Sequence, residues 1–79
     1  KIYPNPSNGR FNLVYQLGNN EILSADVVDA KGSIVKHYRN TGNGFVQKLN
    51  IDIMMLPSGV YLLKVDAGGE KKTFKLNKM

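Results

Sequence analysis

The run Gly59-Val60-Tyr61-Leu62-Leu63-Lys64-Val65-Asp66-Ala67-Gly68-Gly69-Glu70-Lys71-Lys72-Thr73-Phe74-Lys75-Leu76-Asn77-Lys78 decides the fold. Tyr61, Leu63 and Val65 alternate with Leu62, Lys64 and Asp66. Phe74 and Leu76 alternate with Thr73, Lys75 and Asn77. Successive side chains of a strand point to opposite faces, so this period of two marks strands with one buried face. Ala67-Gly68-Gly69 separates the two halves and is short enough for a hairpin.

The same grammar runs back through the chain. Phe11, Leu13, Tyr15 and Leu17 alternate with Asn12, Val14 and Gln16, and Leu23, Ala25 and Val27 with Ser24, Asp26 and Val28. Phe45, Gln47, Leu49 and Ile51 form another such series. The run from Ile34 to Tyr38 is less regular, because Lys36 shares their face. Turn chemistry separates these runs at Gly18-Asn19-Asn20, Ala30-Lys31-Gly32-Ser33, Asn40-Thr41-Gly42-Asn43-Gly44 and Pro57-Ser58-Gly59. Strands are predicted at roughly 10–17, 22–29, 33–40, 45–52, 59–67 and 70–78. The only candidate helical turn is Asp52-Ile53-Met54-Met55-Leu56, which Pro57 would stop. Apolar residues on the second faces (Val14, Val28, Val46, Leu62) favour two packed sheets over one sheet with a wet face. A small antiparallel sandwich of six or seven strands is the predicted architecture, with a small closed barrel as the alternative.

Length and composition set the limits. The chain has 79 residues, enough for one domain, and no cysteine, so neither a disulfide nor a thiolate metal site staples it. Stability must come from apolar packing, near the low end of what one core supports. With 42% hydrophobic and 22% charged residues the composition is that of a globular domain rather than a disordered one. No apolar run is long enough to cross a membrane as a helix. Lys1-Ile2-Tyr3-Pro4 does not open a secretory signal peptide, and the abrupt start reads as the C-terminal piece of a longer protein. The net charge of +5 admits an acidic partner without choosing among nucleic acid, lipid headgroup and polyanionic glycan.

No catalytic constellation emerges. His37 has no cysteine or carboxylate cluster beside it in sequence, so a metal site is not expected. None of Ser7, Ser24, Ser33 and Ser58 lies in a Gly-x-Ser-x-Gly elbow. Asp26 and Asp29 fall on opposite sides of a strand and make no acid–base pair. Asp29 is expected to shape the turn before Gly32 rather than to bind calcium. Gly42-Asn43-Gly44 precedes a strand, which gives no support to a phosphate loop. Asn5-Pro6-Ser7 fails as a glycosylation sequon because proline stands in the middle. Lys64, Lys71, Lys72, Lys75 and Lys78 crowd the closing region, read either as protection of a terminal edge or as a recognition strip. Nucleic-acid binding would want exposed aromatics among them, and Phe74 alternates into the core instead. No cofactor is expected.

Three segments together resemble a known family. Tyr3-Pro4-Asn5-Pro6-Ser7-Asn8-Gly9-Arg10-Phe11 opens the chain, Asp29-Ala30-Lys31-Gly32-Ser33-Ile34-Val35 lies in its middle, and Leu56-Pro57-Ser58-Gly59-Val60-Tyr61-Leu62-Leu63-Lys64-Val65 precedes Lys72-Thr73-Phe74-Lys75-Leu76. In this order, over nearly the whole length, they resemble the C-terminal sorting domain (type A) of proteins exported by the type IX secretion system of Bacteroidetes-type bacteria. The family usually has a larger apolar residue where Ala30 stands. The resemblance implies an immunoglobulin-like sandwich at the end of a larger cargo. Such cargo passes through the periplasm, is recognised by an outer-membrane translocon, and usually loses the domain to a surface sortase. It is then released or attached to the cell surface. The domain itself is not a catalyst. The whole of 1–79 would form this single domain, ending at a true C-terminus after Lys78.

On that resemblance, Pro4, Asn5, Pro6, Asn8 and Gly9 belong to a Pro-rich junction segment over 1–9. Gly59, Tyr61, Lys71, Lys72, Lys75 and Lys78 are the candidate translocon-recognition residues. Gly59 would supply a conformation or a close approach that a Cβ obstructs, and Tyr61 would pack inward with its hydroxyl at the rim. The edge of Lys71–Lys78 would serve for strand addition to a partner or for self-association. The runner-up function is a cell-surface carbohydrate- or protein-binding sandwich. It is weakened by the absence of Trp, and by Tyr15 and Tyr61 being better placed for the core, which leaves only Tyr3 and Tyr38 to stack on a sugar.

Overall fold

Alternation of apolar and polar residues produces seven strands, described for all of residues 1–79 by a computed structural model. They are β1 (Ile2–Tyr3), β2 (Arg10–Gln16), β3 (Ile22–Val28), β4 (Ile34–Thr41), β5 (Val46–Asp52), β6 (Gly59–Ala67) and β7 (Glu70–Lys78). Every strand pairing is antiparallel. One sheet has the order β1-β2-β5 and the other β4-β3-β6-β7. The two sheets remain separate rather than closing into a barrel. Immunoglobulin constant domains pair the fourth strand with the fifth, whereas here β4 pairs with β3 and so joins the larger sheet.

The inner faces meet in one core. Phe11, Leu13, Leu17, Leu49, Ile51 and Ile53 come from the smaller sheet and its extensions. Leu23, Ala25, Val27, Tyr61, Leu63, Val65 and Leu76 come from the larger one. The predicted strands agree with those observed to within a residue or so at each end, and β1 is the seventh. The hairpins at 30–33 and 67–70 are also as expected.

Several expectations are corrected. Val14, Val28, Val46 and Leu62 do not lie between the sheets. Their parity puts them on the outer faces, where Val28 is still buried (5% exposed), and the shared core is formed by the first faces alone. Phe45 precedes β5 and is 73% exposed rather than buried. The stretch 52–56 makes a single turn, in which Leu56 N–H donates to Ile53 O (3.0 Å), and no helix. The irregularity of β4 has a physical cause. Val28 pairs with Ile34 and Val27 with Lys36, so Val35 is an extra residue in a bulge. The bulge lets Val35 and Tyr38 pack against the core while Ile34 faces water.

Tyrosine hydroxyls tie the two layers together at their rims. Asn40 of β4 donates through Nδ2 to the Tyr15 hydroxyl of β2 at 3.1 Å. Asp52 N–H at the end of β5 donates to the Tyr38 hydroxyl of β4 at 3.0 Å. Tyr38 is therefore half-buried, not free to stack on a ligand.

Core burial gives a direct expectation. Truncating Leu63→Ala or Leu76→Ala should lower stability by about 2–5 kcal/mol in urea unfolding. Phe45→Ala should stay within about 0.5 kcal/mol of the parent, as surface changes usually do.

Candidate functional site: the motif-bearing base of the sandwich

Antiparallel pairing sorts the connections to two ends. At one end, the base, lie the 4–9 segment, the β3–β4 turn, the β5–β6 connection and the close of β7. At the other end, the top, lie Lys1 and the connections around 17–21, 42–45 and 67–70. Segments 3–11 and 29–35 and the opening of segment 56–65 therefore converge on the base, although they are far apart in sequence.

The opening segment is built into the fold by its polar side chains. Asn5 clamps the outer edge of β7 twice: its Nδ2 donates to Lys75 O (2.6 Å) and its Oδ1 accepts from Asn77 N–H (2.9 Å). Two residues on, Ser7 N–H donates to Asn77 O (3.0 Å), and Met79 N–H donates to Ser7 O (2.8 Å). The Ser7 hydroxyl donates to Arg10 O (2.6 Å) and accepts from the N–H groups of Gly9 and Arg10. Ser7 is only 4% exposed and is the one buried residue with a polar side chain. Gly9 then has φ +126°, and a Cβ there would stand 2.8 Å from the Met54 Cα. Ile53 N–H donates to Gly9 O at 2.8 Å, which fastens the β5–β6 connection to the same point. Pro4 and Pro6 frame Asn5 in this arrangement, and Asn8 is exposed beside the buried Ser7 and Gly9.

The middle segment is a turn held by one carboxylate. Asp29 Oδ1 accepts from Lys31 N–H (3.0 Å) and Ser33 N–H (2.9 Å), the role expected of it. The third segment turns a corner. Tyr61 is 6% exposed, and its hydroxyl donates to Pro57 O at 2.6 Å. β6 is the sixth strand, and this is the tyrosine-corner device that immunoglobulin-like sandwiches place at the start of that strand. Gly59 has φ +148° with open space where a Cβ would point, so the need is conformational and not one of close approach. Between the middle and third segments lies a cleft of about 490 Å³ that includes Lys31, Val35, Leu56, Gly59 and Val60.

The lysines predicted as one strip are divided. Lys71 and Lys75 share a face with Thr73 on the outside of the larger sheet, beside Lys64 of β6. Lys72 and Lys78 have the opposite parity, that of Phe74 and Leu76. Lys72 lines the mouth of the open side of the sandwich, and the Lys78 stem covers Gly9. Sequence reasoning missed the apolar character of the base. Ile34, Met54, Met55, Val60 and Met79 are all exposed there, Met55 at 96%. The Met54-Met55 pair, next to turn residues and off any alternating run, is the signal that marks it.

The profile of the family described as Secretion system C-terminal sorting domain matches residues 1–78. The chain belongs to this family. A search of curated proteins gave no match. As a sorting domain it is the C-terminal signal by which cargo is exported through type IX secretion to the cell surface or the medium. This is not an enzyme family. The sorting domain interacts with the secretion system as the tail of its cargo. No helix is long and apolar enough to cross a membrane. The alternative of a carbohydrate- or protein-binding module gains no support, since Tyr15, Tyr38 and Tyr61 all pack against or within the core.

The geometry of the base predicts its sensitivity. Ser7→Ala leaves two amides and a carbonyl without their partner and should cost about 1–3 kcal/mol in denaturant unfolding. Gly59→Ala should cost about 1 kcal/mol or more, because φ +148° is strained for any residue with a Cβ.

Proposed function

We propose that the secretion machinery reads this sorting domain as a folded unit through its base. The observation that carries the reading is the convergence of the three distinctive segments and the close of β7 on one end, with exposed apolar side chains between them. Exposed apolar groups bounded by charges are the ordinary chemistry of a protein interface. Here Met55, Val60 and Ile34 would be covered by the translocon, with Lys31 at the margin. Gly59 and Tyr61 act through the shape of the corner they hold. Pro4, Asn5, Pro6, Asn8 and Gly9 act by seating the opening segment. Lys71 and Lys75 would set polarity on the adjoining outer face, and Lys72 and Lys78 at the two ends of β7.

Strand addition to β7 is narrower than its length suggests. Its outer edge from Lys75 onward is occupied by Asn5 and Ser7. Only the stretch from Glu70 to Phe74 remains for a partner strand or a second copy. After translocation, a surface sortase would cut ahead of the domain and leave the cargo released or anchored.

The test is export of a periplasmic reporter carrying residues 1–79 at its C-terminus, in a host with an active type IX system. The parent fusion should reach the surface, and Met55→Asp with Val60→Asp should strand it in the periplasm. Phe45→Asp with Val46→Asp, at the top, should leave export unchanged. Circular dichroism and protease resistance establish that each variant is folded. Normal export of the folded base variant would overturn recognition through the base. Gly59→Ala, if folded, should reduce export in proportion to its effect on the corner. Unimpaired export of that variant would confine Gly59 to folding.

A further inference from the structure

The smaller sheet is unfinished along one edge. β1 covers only Asn12 and Leu13 of β2 in its register. Lys1 continues that ladder: Val14 N–H donates to Lys1 O at 2.9 Å, and the Lys1 amino group donates to Val14 O at 3.4 Å. A pair exchanging both bonds is the closed ring of an antiparallel ladder, and such rings recur every second residue. The next ring on β2 falls at Gln16, whose N–H and C=O point to the same side as those of Val14. No strand lies there, because β1 is the outermost strand of this sheet.

Beside that edge the sandwich is open. A groove of about 190 Å³ separates β2 from the free part of β7, lined by Leu13, Tyr15, Leu17, Val65 and Phe74, with Lys72 at its rim. Apolar side chains that face a gap between two unpaired strand edges form a place for one more strand.

We propose that the stretch of cargo chain immediately ahead of Lys1 continues β1 along β2 and closes this groove. The inference rests on the sorting-domain reading, in which cargo precedes the domain. Register assigns the residues. The first one ahead of Lys1 lies opposite Tyr15 and, like the half-buried Ile2, faces inward over the groove, so it should be apolar. The second pairs with Gln16 and faces water. The junction is then partly folded structure, and the flexible, cleavable linker begins only above it.

The cargo protein in its full length supplies the test. A cysteine replacing the first residue ahead of Lys1, combined with Tyr15→Cys, forms a non-hydrogen-bonded antiparallel pair, close enough for a disulfide. In a cargo freed of other cysteines, mild oxidation should link most of the protein. The same cysteine combined with Asp52→Cys, at the base, should not link. Absence of the Tyr15→Cys link in folded protein overturns the inference. Hydrogen exchange guards against a variant that fails to fold. Proline at the second residue ahead of Lys1 removes the N–H given to Gln16 O, so the Gln16 amide should exchange about tenfold faster than in the parent. Equal exchange also overturns the proposal. Export is scored in parallel. Normal export without the link or the exchange change sinks this inference alone, whereas the link without export supports it and sinks the sorting role instead.

Discussion

Ser7 is the point at which the beginning and the end of this domain are joined. Its backbone pairs with Asn77 and Met79, and its hydroxyl holds the turn that launches β2. A chain without cysteine has no covalent means of closing itself, and small sandwiches need closure because their cores are thin. Here closure is made by a buried, fully paired serine and by the two-point clamp of Asn5. Gly9 has no room for a side chain, because Met54 and Lys78 stand against it, and its φ of +126° is one that residues with a Cβ rarely adopt. The β5–β6 connection, the start of β2 and the end of β7 are positioned from this one locus.

Recognition through the base, as proposed, would let the architecture itself specify export. Three sequence segments that share no contact in the linear chain become neighbours when antiparallel strands return them to one end. A partner gripping this end, as proposed, would sense correct pairing of both sheets at once. An unfolded or half-folded tail offers the same residues without their arrangement. The lysines of the closing region do not form a single strip. The proposed recognition rests instead on shape at the corner held by Tyr61 and Gly59, with apolar side chains around it.

Much of this was legible from residues alone. Alternation located the strands, because the period of two is imposed by the backbone and survives any topology. The turn role of Asp29 was also readable, since it is a local contact within a few residues, and the inward packing of Tyr61 followed from the same alternation. What escaped were effects of tertiary register. Val35 as a bulge residue depends on how β4 meets β3, which the sequence of β4 does not contain. Val14, Val28, Val46 and Leu62 suggested a second sheet through the wrong faces, and the conclusion stood for a different reason. Phe45 continues an alternating pattern into a loop, where the strand has ended and nothing covers it. The docking of residues 5–7 on β7 spans nearly the whole chain and has no local signature.

The dependence of the opening segment on the last strand also orders events in time. Synthesis runs from the N-terminus, so Asn5 and Ser7 emerge long before Lys75, Asn77 and Met79 exist to receive them. Leu76, fully buried in the core, arrives equally late. The base therefore cannot assemble until the last strand has been made. A chain broken off ahead of β7 keeps the earlier segments but lacks the strand that Asn5 and Ser7 dock on, so its base stays unfinished.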